Sequence, residues 1–274
     1  MTVKATVNGQ GPYDFIVDTG ATLTLAFENL SAEQSFTPSE AAPKRILGLL
    51  GTQKVPVTNI GEVSLGGLSL QNHVGVVIAD WPEPRKTPHG VLGLDFLSQY
   101  FVLVDAKAQH IEFYDPNNPP VVPSQGWAST ALEAETFGQE TGTLYTLTAR
   151  LNGKPVSFIL DIGASGTLIN YSALRTLITG IRLNKSTSQG SSTGSRLNDI
   201  HGDDRQARLV RLQWIGIGRQ KWKKPLILVY NAEIFGELGV ANKPFGLFGA
   251  DLLAGRSFAL DFQGGQFYVE RGKR

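Results

Sequence analysis

One short pattern occurs twice in the sequence, and this repeat constrains the fold more than any other feature. Residues 15–21 read Phe-Ile-Val-Asp-Thr-Gly-Ala, and residues 158–164 read Phe-Ile-Leu-Asp-Ile-Gly-Ala. In each copy an apolar stretch typical of a buried strand leads to an aspartate and then to a glycine, which allows a sharp turn. The two aspartates, Asp18 and Asp161, are 143 residues apart in a chain of 274. A single repeat of that length predicts two equivalent lobes rather than a solenoid.

The repeat extends in both directions from the aspartates. Upstream, Val-Asn-Gly at 7–9 matches Leu-Asn-Gly at 151–153. Asn-Gly is a strong signal for a two-residue hairpin, so each aspartate is expected to follow the second arm of a hairpin. Downstream, Gly-Val-Leu-Gly-Leu-Asp-Phe-Leu at 90–97 matches Gly-Leu-Phe-Gly-Ala-Asp-Leu-Leu at 246–253. Matched blocks in the same order indicate that the two halves share one topology.

Composition predicts the class of protein. Hydrophobic residues make up 41% and charged residues 18% of the chain, which is typical of a globular protein. The net charge of +1 creates no global field that would recruit nucleic acid or an anionic membrane. No apolar run approaches the roughly 18 residues that a membrane-spanning helix needs. The 31 glycines suit turns between strands and helical patterns are sparse, so we predict an all-β fold.

These blocks make the chain resemble the retropepsin-like aspartic proteases. The resemblance rests on Asp-Thr-Gly-Ala at 18–21, on the Leu-Gly of 92–93, and on the second copies of both. It covers nearly the whole chain. It implies two retropepsin-like lobes that form a pseudo-twofold bilobal barrel, with lobe 1 at 1–115, a linker at 116–142 and lobe 2 at 143–274. The linker opens with a proline-rich run, and its end, from 126 to 142, is expected to wrap lobe 1 as irregular chain.

The resemblance assigns the catalytic role to Asp18 and Asp161. Hydrolysis of an amide needs a base that activates water and an acid that protonates the departing nitrogen. Two carboxylates about 3 Å apart share one proton, because both cannot ionise at that distance, and the pair can then perform both tasks. Neither a metal nor another cofactor is expected. A single Asp-Thr-Gly could simply cap a turn, but two copies at the ends of matching strands favour the dyad.

Four neighbouring residues are expected to support the acids. Gly20 and Gly163 let the two loops approach, since larger side chains would separate the carboxylates. In the family, the residue after each acid is usually Thr or Ser, whose hydroxyl bonds to the backbone of the opposite loop. Thr19 fits that pattern and Ile162 does not. Losing one such buried bond costs about 1–3 kcal/mol if its partner stays unsatisfied, so lobe 2 is expected to be the weaker half.

Two segments are predicted as flaps over the cleft. Residues 46–53 place two leucines, expected to be exposed, between glycines at a hairpin position. Residues 197–204 occupy the corresponding position in lobe 2. Such loops can close on a ligand and exclude water. The residues assigned to substrate contact are Gly48, Leu49, Leu50, Gly51, Ile200, His201 and Gly202.

The other charged residues fit structural roles better than functional ones. Four aspartates recur between the lobes and are interpreted as helix caps and turns: Asp95, Asp251, Asp105 and Asp261. Between 205 and 224 the sequence contains seven basic residues, with two tryptophans interspersed among them. That pattern is compatible with a nucleic-acid surface, but it fits better a solvated hairpin whose tryptophans pack inward. The four histidines show no metal-ligand spacing.

The residues favour an aspartic endopeptidase that binds an extended peptide or protein substrate between two lobes of a monomer. No nucleic-acid partner is expected. Two alternatives stay open: a weak or inactive peptide-binding pseudoprotease, which Ile162 favours, and an intermolecular dimer in which lobe 1 alone supplies both acids. The chain opens within the first predicted strand without a signal peptide. The protein is therefore expected to be cytosolic, or exported with its leader removed.

Overall fold

The computed structural model describes residues 1–82, 84–137, 142–178, 195–198 and 204–272. Strands account for 50% of the structure and helices for 11%. The predicted all-β class with two barrel-like lobes is therefore confirmed.

The first lobe consists mainly of strands, with two short helices among them. The strands are β1 (Thr2–Val7), β2 (Gln10–Val17), β3 (Leu25–Phe27), β4 (Thr37–Pro38), β5 (Lys44–Leu47), β6 (Thr52–Val55), β7 (Val57–Leu65), β8 (Leu68–Ile78), β9 (Gly90–Leu92), β10 (Phe101–Asp105) and β11 (His110–Tyr114). The helices are α1 (Glu28–Gln34) and α2 (Leu94–Leu97). We call this part of the chain lobe 1.

The rest of the chain, which we call lobe 2, contains a second set of elements. The strands are β12 (Trp127–Ala131), β13 (Glu133–Thr136), β14 (Thr143–Leu151), β15 (Lys154–Leu160), β16 (Leu168–Ile169), β17 (Ser195–Asn198), β18 (Asp204–Arg211), β19 (Trp214–Ile217), β20 (Gln220–Lys223), β21 (Leu226–Val229), β22 (Phe245–Phe248), β23 (Phe258–Asp261) and β24 (Gln266–Glu270). The helices are α3 (Tyr171–Ile178), α4 (Glu233–Glu237) and a single 3₁₀ turn at Ala250–Leu252.

Lobe 1 is a closed six-stranded barrel. Its strands are hydrogen-bonded in the order β1-β2-β9-β3-β8-β7, and β7 pairs again with β1 to complete the ring. Along β2, the buried Tyr13, Phe15 and Val17 alternate with less buried residues, so one face of the strand fills the barrel. The register of β7 shifts between Asn59 and Val63. Such irregularities bend a strand, which lets β7 pair with both β8 and β1.

Lobe 2 repeats this plan with one break. Strands β14, β15, β22, β16 and β21 take the places of β1, β2, β9, β3 and β8, with the same parallel and antiparallel pairings. The long β7–β8 hairpin is divided here into two pairs, β18 with β21 and β19 with β20. Hydrogen bonds from Leu212 N–H to Pro225 O and from Lys224 N–H to Gln213 O continue the ladder across the break.

Both barrels open with the predicted Asn-Gly hairpin. Asn8 and Gly9 have φ values of 50° and 76°, and Asn152 and Gly153 have φ values of 47° and 92°. This backbone conformation suits Asn and Gly in two-residue hairpin turns. The side chain of Asn8 also bonds to the backbone of β7, at Ile60 and Glu62. The side chain of Asn152 accepts hydrogen bonds from the N–H groups of Gln213 and Trp214, where β19 begins. The asparagine thus ties its turn to the neighbouring part of the barrel.

A shared five-stranded sheet joins the lobes in the order β11-β10-β23-β24-β12. In it, β10 of lobe 1 pairs antiparallel with β23 of lobe 2, beginning at Phe101 and Asp261. An ion pair between Lys107 and Glu270 adds a contact between the lobes. Because both closing hairpins belong to one sheet, the two barrels have a fixed relative position.

The expectation that residues 126–142 wrap lobe 1 as irregular chain is wrong. Within this stretch, β12 pairs with β24 and β13 pairs with β14, so both strands extend the sheets of lobe 2. Alternating burial along the stretch is weak, because β13 is exposed along its whole length. A strand of that kind leaves no period in the sequence. The boundaries at residues 115 and 143 stay a prediction.

The four recurring aspartates divide into two kinds. Asp105 accepts hydrogen bonds from the N–H groups two and three residues later, and Asp261 accepts one from Gly264, so the interpretation of these two as turn residues is confirmed. The interpretation of Asp95 and Asp251 as helix caps is wrong. The N-cap residues are Gly93 and Gly249, and the aspartates lie in the first turns.

A large apolar core extends through both lobes and the shared sheet. A smaller cluster of buried residues lies in lobe 1 and includes Leu25, Phe27 and Val91 of the barrel and Val55 of β6. Partly buried residues that pack against it, among them Ile16 and Trp81, also line the cleft described below. Within the described ranges, no helix combines the length and apolarity that crossing a membrane requires.

Candidate active site

Asp18 and Asp161 occupy equivalent positions at the ends of central strands. Each aspartate follows a strand that pairs in parallel with the strand of the downstream Leu-Gly or Phe-Gly block, β2 with β9 and β15 with β22. The N–H of Asp18 donates to Leu92 O at 3.1 Å, and the N–H of Asp161 donates to Phe248 O at 3.0 Å. The backbone of each aspartate is therefore fixed by the Leu-Gly or Phe-Gly block of its own lobe.

The two acid loops cross at the lobe interface. A Cβ atom on Gly20 would lie 2.8 Å from the carboxyl carbon of Asp161, and a Cβ atom on Gly163 would overlap the carboxylate of Asp18. The structure thus brings together all four of these predicted residues. Each glycine leaves the space that the opposite carboxyl group occupies. The two carboxyl groups come within hydrogen-bonding reach of each other.

Burial raises the pKa of both carboxyl groups, and the negative charge of Asp18 raises the pKa of Asp161 further. The N–H of Gly20 donates to Asp18 and the N–H of Ala164 donates to Asp161, each at 2.7 Å, and these bonds oppose the shift. Coupled acids titrate as a pair in two steps. Between the two steps the pair holds one proton.

Thr19 makes the bond across the lobes that the family resemblance implies, but only in one direction. Its fully buried hydroxyl donates to Leu160 O at 2.6 Å and accepts from Ile162 N–H at 3.1 Å. Ile162 is 1% exposed and has no polar side-chain atom with which to return the contact. A hydroxyl of lobe 1 therefore holds the acid loop of lobe 2, and the side chain of Ile162 returns no such hydrogen bond.

One threonine in each lobe, which the sequence interpretation missed, supports the acid loop of that lobe. The Thr24 hydroxyl donates to Asp95 at 2.6 Å and accepts from Gly93 N–H at 3.0 Å. In lobe 2 the Thr167 hydroxyl donates to Asp251 at 2.7 Å and accepts from the N–H of Gly249 at 3.1 Å. This is the function of the aspartates that were interpreted as caps. Each threonine lies six residues after the aspartate of its acid loop, Asp18 or Asp161. The repeat itself therefore pointed to these two threonines.

Lobe 1 adds a buried histidine to this support. His73 Nε2 lies 2.7 Å from Thr24 O, and Nδ1 lies 3.9 Å from a carboxylate oxygen of Asp95. Because Thr24 O can only accept, Nε2 is the protonated nitrogen. Within the described ranges, no cluster of three or more His, Asp or Glu side chains is arranged to hold a metal ion.

A cleft of about 590 Å³ opens above the two aspartates. Lobe 1 contributes apolar side chains such as Leu23 and Val91, and lobe 2 contributes others such as Leu168 and Leu228. The sequence interpretation did not anticipate Trp81 and Arg85, which also line the cleft. Their loop contains three prolines and has no periodic pattern, so it gave no signal of a position beside the site.

The segment predicted as the flap of lobe 1 is a hairpin of β5 and β6. Its turn is closed by Gly48 N–H, which donates to Gly51 O at 2.8 Å, and Gly48 and Leu49 line the cleft. Leu50 is only 3% exposed and belongs to the core, and Leu49 is half-buried and packs against it, so the expectation that both leucines are exposed is wrong.

The hairpin also reaches across the cleft to lobe 2. Arg45 of β5 forms an ion pair with Glu237 of α4 at 3.1 Å. The predicted contacts from the second flap, Ile200, His201 and Gly202, lie outside the described residues.

None of the seven basic side chains between 205 and 224 lines the cleft, although Leu209 of β18 does. Trp222 is buried, and its indole N–H donates to Leu252 O at 2.6 Å. The prediction of inward packing is thus confirmed for this tryptophan. Trp214 is half-buried, with the Lys221 ammonium 4.3 Å from the centre of its ring.

Comparison with known proteins agrees with this architecture. A family model described as "Aspartyl protease" matches residues 3–96 and 147–252, which is well over half of the chain and includes both acid loops. The chain belongs to this aspartyl protease family. The recognition of the retropepsin-like resemblance is thereby confirmed for a tandem form.

Among solved structures, the chain is similar to a retropepsin-like aspartic protease from Rickettsia conorii. The two are 16% identical, and the match covers 53% of this chain and 95% of that chain with a TM-score of 0.34. A search of curated proteins found no match.

Proposed function

We propose that this aspartyl protease family member is an endopeptidase that hydrolyses peptide bonds with water activated by Asp18 and Asp161. The observation that carries the proposal is the crossed placement of the two loops, in which each glycine lies against the opposite carboxyl group. Raised pKa values for both acids support the sharing of one proton. A pair of this kind can act as base and acid in one step.

In the proposed reaction the two acids take complementary roles. Asp18, ionised, accepts a proton from the water as the oxygen attacks the carbonyl carbon. Asp161, protonated, donates its proton to the carbonyl oxygen. In the second step Asp18 gives its proton to the nitrogen as the C–N bond breaks, and Asp161 takes a proton back from a hydroxyl of the tetrahedral intermediate, which becomes the new carboxyl group. The pair then again holds one proton.

The cleft suits an extended peptide with apolar side chains on both sides of the scissile bond. Apolar residues from both lobes form its walls, and the β5–β6 hairpin lies over it. We propose Gly48 and Leu49 as substrate contacts, and Ile200, His201 and Gly202 as the counterpart in lobe 2. Because one chain supplies both acids, a monomer is sufficient for the reaction.

A second candidate is a peptide-binding protein of low or no activity. The observation that favours it is the one-sided bond of Thr19, because Ile162 cannot make the reciprocal contact. A less firmly held dyad would weaken catalysis while leaving the cleft able to bind peptide.

Digestion of a mixed peptide library distinguishes the two functions. The intact protein should cleave internal bonds, while Asp18→Asn and Asp161→Asn should give no products and still unfold in one cooperative transition. Products identified by mass spectrometry in parent and variants alike would contradict the assignment of the dyad. Retention of peptides by the parent protein without any cleavage would favour the second candidate.

A further inference from the structure

The loop between β8 and β9 places a cation in the cleft that the proposed mechanism does not use. Arg85 is half-buried and lines the cleft beside Trp81. The guanidinium carbon lies 4.4 Å from the centre of the indole ring, which is a cation–π contact. The next residue, Lys86, is exposed and does not line the cleft, so the two neighbouring cations differ in position.

Local hydrogen bonds and packing hold this pair in place. The backbone N–H of Trp81 donates to the Thr87 hydroxyl at 2.8 Å, and the N–H of Arg85 donates to Pro82 O at 3.2 Å. The Trp81 ring packs edge-on against the fully buried Phe27, with ring centres 5.6 Å apart. A group that is already ordered loses little entropy when a ligand binds it.

Within the part of the chain that the structure describes, no acceptor takes up the side-chain donors of this pair. Among the described residues, no carboxylate forms an ion pair with Arg85, whereas Arg45 on the same side of the cleft pairs with Glu237. Contact with an aromatic face uses none of the five N–H donors of a guanidinium. The indole N–H of Trp81 is also buried without an acceptor. A carboxylate in the cleft carries two acceptor oxygens and would satisfy donors of the Arg85 guanidinium with charge-assisted hydrogen bonds.

We infer that Arg85 and Trp81 form a subsite for a carboxylate of the bound peptide. The inference rests on the proposed function, because it takes the occupant of the cleft to be a peptide. The carboxylate can belong to an Asp or Glu side chain or to the end of the peptide, since all present the same two oxygens. The acid is expected at one fixed distance from the scissile bond, because the subsite has one position relative to the dyad.

The subsite also gives the cleft a direction. The loop of lobe 2 that corresponds to 79–89 contains α4 and lines the cleft with the apolar Ile234. An acidic residue therefore finds a cation on the lobe 1 side and an apolar side chain on the lobe 2 side. A peptide with one acid should bind in a single orientation along an otherwise nearly symmetric cleft.

Affinity selection tests the inference without requiring cleavage. A randomised peptide library with a non-cleavable reduced amide at its centre is passed over immobilised parent protein, Arg85→Gln and Lys86→Gln, and the retained peptides are sequenced. The library is made with free and with amidated C-termini, which separates a side-chain carboxylate from a terminal one. Trp81→Phe is included because it keeps an aromatic face and removes the N–H.

The parent protein and Lys86→Gln should retain peptides enriched about tenfold in a carboxylate at one position, and Arg85→Gln should lose that enrichment. Trp81→Phe should reduce it by a smaller factor. Equal enrichment in the parent and Arg85→Gln, or no enrichment in either, would overturn the subsite. Cleavage of the selected sequence, made with an ordinary amide, tests the proposed function separately: a cleaved peptide without carboxylate enrichment would overturn only the subsite, and an enriched peptide that is not cleaved would overturn only the endopeptidase.

Discussion

Lobe 1 and lobe 2 present their aspartates on the same scaffold but hold them differently. In both lobes a threonine six residues after the acid bonds to the aspartate of the following block, Asp95 or Asp251. Among the described residues, only the acid loop of lobe 1 sends a hydroxyl to the opposite acid loop, and a histidine contacts the supporting threonine in lobe 1 but not in lobe 2. The two lobes thus share the threonine–aspartate support of each acid loop, and they differ in the hydrogen bonds that surround that support.

Proton sharing does not depend on this divergence. Two carboxyl groups held side by side titrate in two steps even in identical surroundings, because the first negative charge opposes the second ionisation. Burial raises the pKa of both Asp18 and Asp161, and the negative charge of Asp18 adds to the shift of Asp161. A shared proton therefore follows from the close approach of the two acids and not from a difference between the lobes.

The largest expected effect comes from adding a methyl group to either crossed glycine. Gly163→Ala and Gly20→Ala should each lower kcat by about 100-fold or more, because displacing a reacting group by about 1 Å costs that much. Gly163→Ala should be the more severe, since its Cβ lies closer to the opposite carboxylate. Gly236→Ala is the matched control, because no atom lies within 4 Å of its Cβ and the residue is helical. Turnover of both loop variants within threefold of the control would show that the loops are not crossed as described.

Removing the hydroxyl of Thr19 should cost stability as well as activity. Thr19→Val leaves Leu160 O and Ile162 N–H without their buried partner. Each unpaired group should lower the free energy of unfolding by about 1–3 kcal/mol. Urea unfolding measures this loss, and Thr19→Ser, which keeps the hydroxyl, should restore most of it. A valine variant as stable as the parent would mean that the bond between the lobes contributes nothing.

The pH dependence of stability should report the shared proton. The pKa of Asp161 in the folded protein lies well above the ordinary value of 3.8, so the folded state binds more protons than the unfolded state above that pH. The stabilisation is complete below about pH 3.8 and is lost as pH rises through the raised pKa, with a slope of at most about 1.4 kcal/mol per pH unit. Asp161→Asn cannot ionise and should lack this loss. Parallel stability curves for the two proteins between pH 4 and pH 8 would contradict the raised pKa.

The smallest effect is expected when the missing hydroxyl of lobe 2 is restored. Ile162→Thr removes apolar contacts in a fully buried position, which costs about 0.5–1.5 kcal/mol, and gains the chance of a reciprocal bond of similar size. Stability should therefore change little, and kcat/KM should stay level or rise because the dyad is held more firmly. Both are measured with one peptide substrate and one unfolding series. A severalfold loss of kcat/KM at unchanged stability would show that Ile162 is adapted to the site.

The predictable part of the fold is what the repeat and the turn residues encode. The hairpins at Asn8 and Asn152 and the all-β class followed from local signals, because those residues favour the positive φ that the turns require. The parallel pairing of each acid strand with its Leu-Gly or Phe-Gly block was not predicted, because no local pattern specifies which distant strands pair. The exposed strand β13 has no alternating burial and could not be found.

The candidate site was predictable to a similar depth. The acids and glycines are consecutive in sequence and repeated, so they are visible without a structure. Trp81 and Arg85 reach the cleft only because of how the β8–β9 loop folds back over the barrel, and their positions have no counterpart in the other lobe. A feature that occurs once and depends on long-range packing leaves no pattern in a single sequence.

The central claim is that one chain completes the site with one acid from each lobe. Peptide cleavage by Asp18→Asn, by Asp161→Asn and by an equimolar mixture of the two tests it directly, beside a concentration series of the parent protein. The account predicts no cleavage by either variant or by the mixture, and a parent rate strictly proportional to protein concentration. Activity that survives in Asp161→Asn, or that appears on mixing and rises with the square of concentration, would show instead that two chains build the site together.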